Sequence, residues 1–237
     1  MAFDWSGVLS GHPLHWLLQG LAVTIAVTLV AGAIATVVAV LLTALRLSPL
    51  APVRLATRAV VSLIRNTPLL IQLMVWYFVG FARLPQAIKD VMTRDHPWAT
   101  LPGQVSLAGP EFVAAAWGVG LFIGVFLGEE LQAGLNAVAP GQREAAASQG
   151  FGAWDTLVAI LLPQALRNAY EPVVGQYLNL MKLTAIACSI GLAELTYQAR
   201  QVESFNSHAF EAFAAATLLY LGLGLVLERA LRAVRRA

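Results

Sequence analysis

The sequence predicts an all-α integral-membrane helical bundle of five transmembrane helices, with a water-compatible segment on one side. Three observations carry that expectation. Of 237 residues, 58% are apolar and only 12% charged, with a mean hydropathy of +0.70; a soluble domain carries about twice that charge. The charges are segregated: none falls between Asp4 and Arg46, Arg65 and Arg83, Glu111 and Glu129, or Glu211 and Glu228. Each gap holds an apolar stretch near the ~20 residues that cross a bilayer as a helix. The third observation is the uneven placement of arginine.

Span one is expected over Trp16–Leu45, with a small-residue face at Ala31, Ala35 and Ala39. It is not expected to be a cleavable signal, because Asp4 and no Lys or Arg precede an apolar run too long for an h-region. Span two is expected over Val61–Phe81. At its start stands Arg65-Asn66-Thr67-Pro68, where proline weakens the helix ladder and frees carbonyls. Pro85, Pro97, Pro102 and Pro110 punctuate the following loop, which has room for a short surface helix from Pro85 to Thr93. Span three, Glu111–Ala133, carries Gly120, Gly124 and Gly128 on one face, a spacing that lets helices approach closely in lipid. Span four, Ala169–Ile190, is interrupted by Lys182, and span five covers Phe210–Leu231. The chain reads as one domain over residues 1–237, with the water-compatible segment at 138–167.

Orientation follows from the arginines. With five spans, Arg46, Arg54, Arg58, Arg143, Arg167, Arg229, Arg232, Arg235 and Arg236 share one side. Arg83, Lys89, Arg94 and Arg200 face the other, with Asp90, Asp95 and Glu203 nearby. The positive-inside tendency then places the N-terminus outside and the C-terminus in the cytoplasm. The basic tail favours anionic lipid headgroups, and the net charge of +2 is far too small for a nucleic-acid surface. The single cysteine, Cys188, excludes an internal disulfide and a cysteine-built metal site. His12 and His15 are the only close histidine pair and lack a carboxylate between them, so no metal centre is expected.

The segment Arg143 to Gln164 is an island of polarity. Glu144-Ala145-Ala146-Ala147-Ser148 favours helix, and Gly150 and Gly152 form a joint where a helix stops and the chain turns. Ile160-Leu161-Leu162-Pro163 is an apolar row that the proline is expected to close. Such an elbow suits a soluble partner's grip; an ordinary loop between spans is the alternative. Ionisable groups within spans are functional candidates, since burying one in hydrocarbon costs ~2.5–3.5 kcal/mol. These are Arg65, beside Asn66, then Glu129, and Lys182 with Asn179 on one face of span four. Lys182 lies deepest by count. Against function stand an interfacial anchor for Arg65 and a structural Glu129–Lys182 ion pair.

The elbow resembles a family signature. Glu144-Ala145-Ala146, Gly150, Ile160 and Leu162-Pro163 are similar to the "EAA" motif of permease subunits of ATP-binding cassette importers. Arg65-Asn66-Thr67-Pro68-Leu69 with Gln72 resembles the "RNTPLLxQ" signature of the polar amino-acid branch. Gln176, Asn179 and Lys182 resemble its "NQxxNLxK" stretch, and Glu129 its third-span acid. Gly20-Leu21 with Thr24 and Thr28, Gly191 with Glu194-Leu195, and Phe210-Glu211-Ala212-Phe213 extend the likeness from about Gly20 to Arg236. The chain departs at Gln132, where relatives carry a basic residue, at Leu183, usually Asn or Asp, and at Gly128.

The resemblance implies a multi-pass permease subunit of a bacterial inner-membrane importer for polar amino acids, most similar to the glutamate/aspartate permeases. It implies a separate ATPase in two copies, a second permease subunit, a periplasmic binding protein, and no cofactor or enzymatic activity in this chain. Arg65, Asn66, Gln72, Glu129, Asn179 and Lys182 would meet substrate. Arg143, Glu144, Ala145, Ala146, Gly150, Asp155 and Pro163 would couple to the ATPase. A self-sufficient channel or secondary transporter for a small polar solute is the alternative, and would need internal repeats or a filter ring. A membrane-embedded enzyme lacks a catalytic set, and phosphate-cradling glycines followed by lysine are absent.

Overall fold

The computed structural model describes residues 4–94 and 96–234; Asp95, Arg235 and Arg236 of the charge reading lie outside them. Helix α1 runs unbroken over Gly11–Arg46. Its charge-free sequence gives no reason to stop, and at 1.5 Å per residue it spans ~54 Å, well beyond one bilayer core. Helix α5, Pro110–Asn136, packs along it. The three glycines foreseen as a close-approach face do that work. A Cβ on Gly120 would lie 2.9 Å from Ala31 O, and one on Gly124 3.0 Å from Ala35 O. Gly128 follows beside Ala39. The contacts climb both chains together, so α1 and α5 run parallel. The alanine face of span one and the glycine face of span three are each other's partners.

Between them the chain makes one antiparallel pass. Helix α2 covers Ala51–Arg65 and α3 covers Leu69–Arg83, bent by 101° at the break. The expected continuous span Val61–Phe81 is therefore corrected: it straddles this break. Pro68 lacks an N–H and disfavours the α region for Thr67, which ends α2. The amide of the buried Gln72 donates to Ile64 O at 2.8 Å and Thr67 O at 2.9 Å, satisfying carbonyls that the break orphans. Among the described residues, four helices are long and apolar enough to cross a membrane, and a fifth crossing results if the bent pair counts as one.

The loop holds the expected short helix as α4, Gln86–Thr93, and a two-residue hairpin, β1 Thr100–Leu101 with β2 Val105–Ser106. Beyond α5, helix α6 (Pro140–Ser148) leads into α7, Ala153–Ile190. Pro163 does not close a helix, contrary to expectation. A π turn at Thr156–Leu161 precedes it, and α-type spacing resumes at Leu162, so the missing N–H falls where the ladder changes period. The expected Ala169–Ile190 is thus the far half of a helix that begins in the island. A Cβ on Gly134 would lie 2.5 Å from Ala165 O, so α5 and α7 touch backbone to backbone there.

Helix α8, Leu195–Asn206, lies between the expected spans four and five, where no helix was expected. The fully buried Glu194 caps it, accepting from Thr196 N and Tyr197 N at 2.9 Å each and from Tyr220 Oη at 2.6 Å. Leu195 N donates to Thr24 Oγ1 at 3.1 Å. A Cβ on Gly20 would stand 2.8 Å from Leu195 Cα, so glycine is needed for α8 to reach α1. Leu17, Leu195, Ala199, Val202 and Ala212 form a second core with α9, Ala209–Val234. The main core joins α1, α3, α5 and α7 through Val27, Leu73, Val119, Ile123 and Leu180.

Candidate coupling elbow and transport path

The elbow is built by a helix stop. Gly150 takes φ +83°, its N–H donates to Ala147 O at 3.1 Å, and Phe151 N–H donates to Ala146 O at 3.0 Å. This pair of bonds is a Schellman motif, and the left-handed residue within it favours glycine. Arg143, Glu144, Ala145 and Gly150 are exposed on α6 and the turn, while Ala146 is buried beneath them. Across the joint, Asp155 and Pro163 are exposed, as is Trp154. Leu161 and Ala165 seat the elbow on Leu135 at the foot of α5. The surface thus presented is small-residue and polar, held on an apolar footing.

Helix α7 carries the elbow's position into the membrane. Asn168, Glu171, Gly175, Asn179 and Lys182 recur at three- and four-residue intervals and are all exposed, a polar stripe on a spanning helix. Tyr177 meets Thr36 of α1 at 2.6 Å, and Met181 Cε lies near Gly224 of α9, so Lys182 stands deep in the bundle's length. Its neighbours Leu180 and Met181 are buried, while Lys182 itself is exposed.

The expected Glu129–Lys182 ion pair is not the one that forms. Glu129 pairs instead with Arg46, at the end of α1, and with Arg65 Nη1 at 3.1 Å. Arg65 also stacks over Phe126, 5.7 Å from the ring centroid. Among the described residues Lys182 has no ion pair. Arg65 and Glu129 are therefore brought together, while Asn179 and Lys182 lie on a separate face. Asn66 turns back into α2, its amide donating to Ser62 O at 2.8 Å. Gln176 Nε2 donates to Glu130 Oε1 at 3.2 Å, tying α7 to α5.

Sequence reasoning used Arg46 only for orientation and did not single out Gly134. A glycine near the end of a span signals close packing; nothing signals that Arg46 meets an acid 83 positions away.

A helical bundle with a polar stripe on one span and a rigid elbow at that span's foot is the framework of a membrane transport subunit. Residues 35–237 match the binding-protein-dependent transport system inner membrane component family, and the chain belongs to it. It is 31% identical to the glutamate/aspartate import permease protein GltJ of Escherichia coli K12, over 93% of this chain and 89% of that one. The arginine transport system permease protein ArtQ of Bacillus subtilis is 28% identical over 100% of this chain and 97% of its own. The glutamine transport system permease protein GlnP of E. coli K12 is 29% identical over 100% and 98%. Among solved structures, the fold resembles an amino acid ABC transporter crystallised with histidines, with a TM-score of 0.79 at 24% identity over 100% and 99% of the chains. It also resembles an inward-facing MetNI methionine transporter, with a TM-score of 0.67 at 20% identity over 95% and 99%.

Proposed function

We propose that this chain is the permease subunit of an amino-acid importer, set with its N-terminus outside and its elbow in the cytosol. A separate ATP-binding cassette subunit grips each elbow, a second permease subunit completes the path, and a periplasmic binding protein delivers the solute. The observation that carries the reading is the continuity of α7. One helical run, Ala153–Ile190, joins the elbow to Asn179 and Lys182. A push at Asp155 therefore moves the polar stripe along one helical run, and a push at Glu144 reaches that run through the Gly150 turn.

The stripe supports a second permease subunit. Lys182 exposed to lipid costs ~2.5–3.5 kcal/mol on insertion scales, whereas facing a water-filled path it costs far less. Asn179 and Lys182 would meet the solute's polar groups there. Arg65, Asn66, Gln72 and Glu129 would contribute at the elbow-side end, with Gln72 acting through the break that it braces. The likeness to GltJ supports a polar, acidic amino acid as solute. The chain itself catalyses nothing, and the work of hydrolysis falls to its partner.

Reconstitution with ATPase and binding-protein partners, followed by uptake competition across the amino acids, tests this. Glutamate and aspartate should compete best, and Lys182→Met should reduce uptake at least tenfold while the protein still inserts. Uptake that persists without any ATPase would sink the reading in favour of a self-sufficient carrier.

A further inference from the structure

We propose that the elbow-side ends of α1, α2 and α5 form a binding site for the phosphate of an anionic phospholipid. Arg46, Arg54 and Arg58, with Glu129, Gln132 and Asn136, line a cavity of about 410 Å³. An adjoining cavity of about 360 Å³ shares Arg46, Arg58 and Glu129 and adds Arg65. Four guanidinium groups and one carboxylate face these two spaces, an excess of three positive charges. The second acid nearby, Glu130, is turned toward Gln176.

The charge is built in rather than incidental. The Arg46 side chain is only 15% exposed, and its Nε is buried with no hydrogen-bond partner among the described residues. Arg54 is fixed by donating from Nη1 to Ser48 O and Pro49 O at 2.8 Å each. Glu129 occupies one side of the Arg46 guanidinium and one nitrogen of Arg65. The remaining forked donors converge from two helices, α1 and α2, the geometry that suits a phosphate's several oxygens.

The lipid source follows from α2. It bends by 101° from α3, so it runs along the bilayer face when α3 crosses. Thr57 and Val61 are buried against the bundle, while Leu55 and Leu63 on the opposite side are exposed. A helix with that division sits at the depth of the headgroups. A phosphodiester is the anion fixed at that depth.

The test is native mass spectrometry of the full chain in its transport assembly, with short-chain phosphatidylglycerol or phosphatidylcholine titrated in. Phosphatidylglycerol should bind about tenfold more tightly than phosphatidylcholine. Arg58→Gln and Arg54→Gln should each weaken it by roughly tenfold, the scale of one charged hydrogen bond. Arg167→Gln, exposed on α7 and outside both cavities, should leave it unchanged. Melting curves check that each variant is folded, and the Arg54 variant carries the test if the Arg58 variant is not. Equal binding of the two lipids, or equal weakening by Arg167→Gln, overturns the site. Displacement of the lipid by millimolar inorganic phosphate overturns the lipid assignment in favour of a dissolved anion.

Discussion

Gly150→Ala isolates the elbow's backbone from its packing. A Cβ at this position meets nothing within 4 Å, so the substitution adds no clash. What remains is the left-handed conformation at φ +83°, which costs a non-glycine residue ~1–2 kcal/mol. That energy lowers the ratio of ordered to unwound elbow by roughly five- to thirty-fold. Asparagine tolerates the same conformation, so Gly150→Asn should fall between wild type and alanine. The assay is paired measurement of solute uptake and ATP hydrolysis in vesicles holding the assembled importer. The alanine variant should insert normally, hydrolyse ATP with little response to solute, and transport several-fold less. Gly150→Asp should uncouple too, because it also places a negative charge at the negative end of α6. If Gly150→Ala couples like wild type, or if asparagine is the worse of the two, the helix stop is not what transmits force.

Two further outcomes concern the helices that the elbow moves. Gly134→Ala should lower the melting temperature in detergent, because its Cβ would lie 2.5 Å from Ala165 O and 2.8 Å from Ala169 Cβ, and overpacking costs ~1–3 kcal/mol. Gly222→Ala, with nothing within 4 Å, is the matched control and should melt as wild type. Glu129→Gln should also lower the melting temperature, by leaving Arg46 and Arg65 without their carboxylate. In a double-mutant cycle, Arg65→Gln should add less on the Glu129→Gln background than alone; strict additivity would show that the pair does not interact.

Much of the bundle was legible because charge-free runs and small-residue spacing report directly on lipid and on helix contact. Gly120, Gly124 and Gly128 and the alanines of α1 were each read as a close-approach face, and they meet. The elbow was legible for a local reason, since Gly150 fixes the turn by its own conformational freedom. Proline was the harder residue to read. Pro68 ends a helix and Pro163 does not, because only the latter follows a π turn that shifts the ladder. Arg65-Asn66-Thr67-Pro68 is a polar interruption between apolar residues, and reading across it as one span hid the break. Helix α8 escaped because its cap is a buried Glu194 rather than Ser, Thr, Asn or Asp. The apolar spacing of Leu195, Ala199 and Val202 was the available clue. The partners of Glu129 come from distant sequence, and no local pattern names them.

The widened turn at Thr156–Leu161 makes the chain length between elbow and stripe a counted quantity. Each residue advances an α-helix by about 100°. Inserting or deleting one position there would swing the exposed flank of α6 around to a different compass bearing relative to Lys182. A motor protein docking from below would then find its grip aimed at the wrong neighbour. Length in this stretch, as much as residue identity, is what natural variants must preserve.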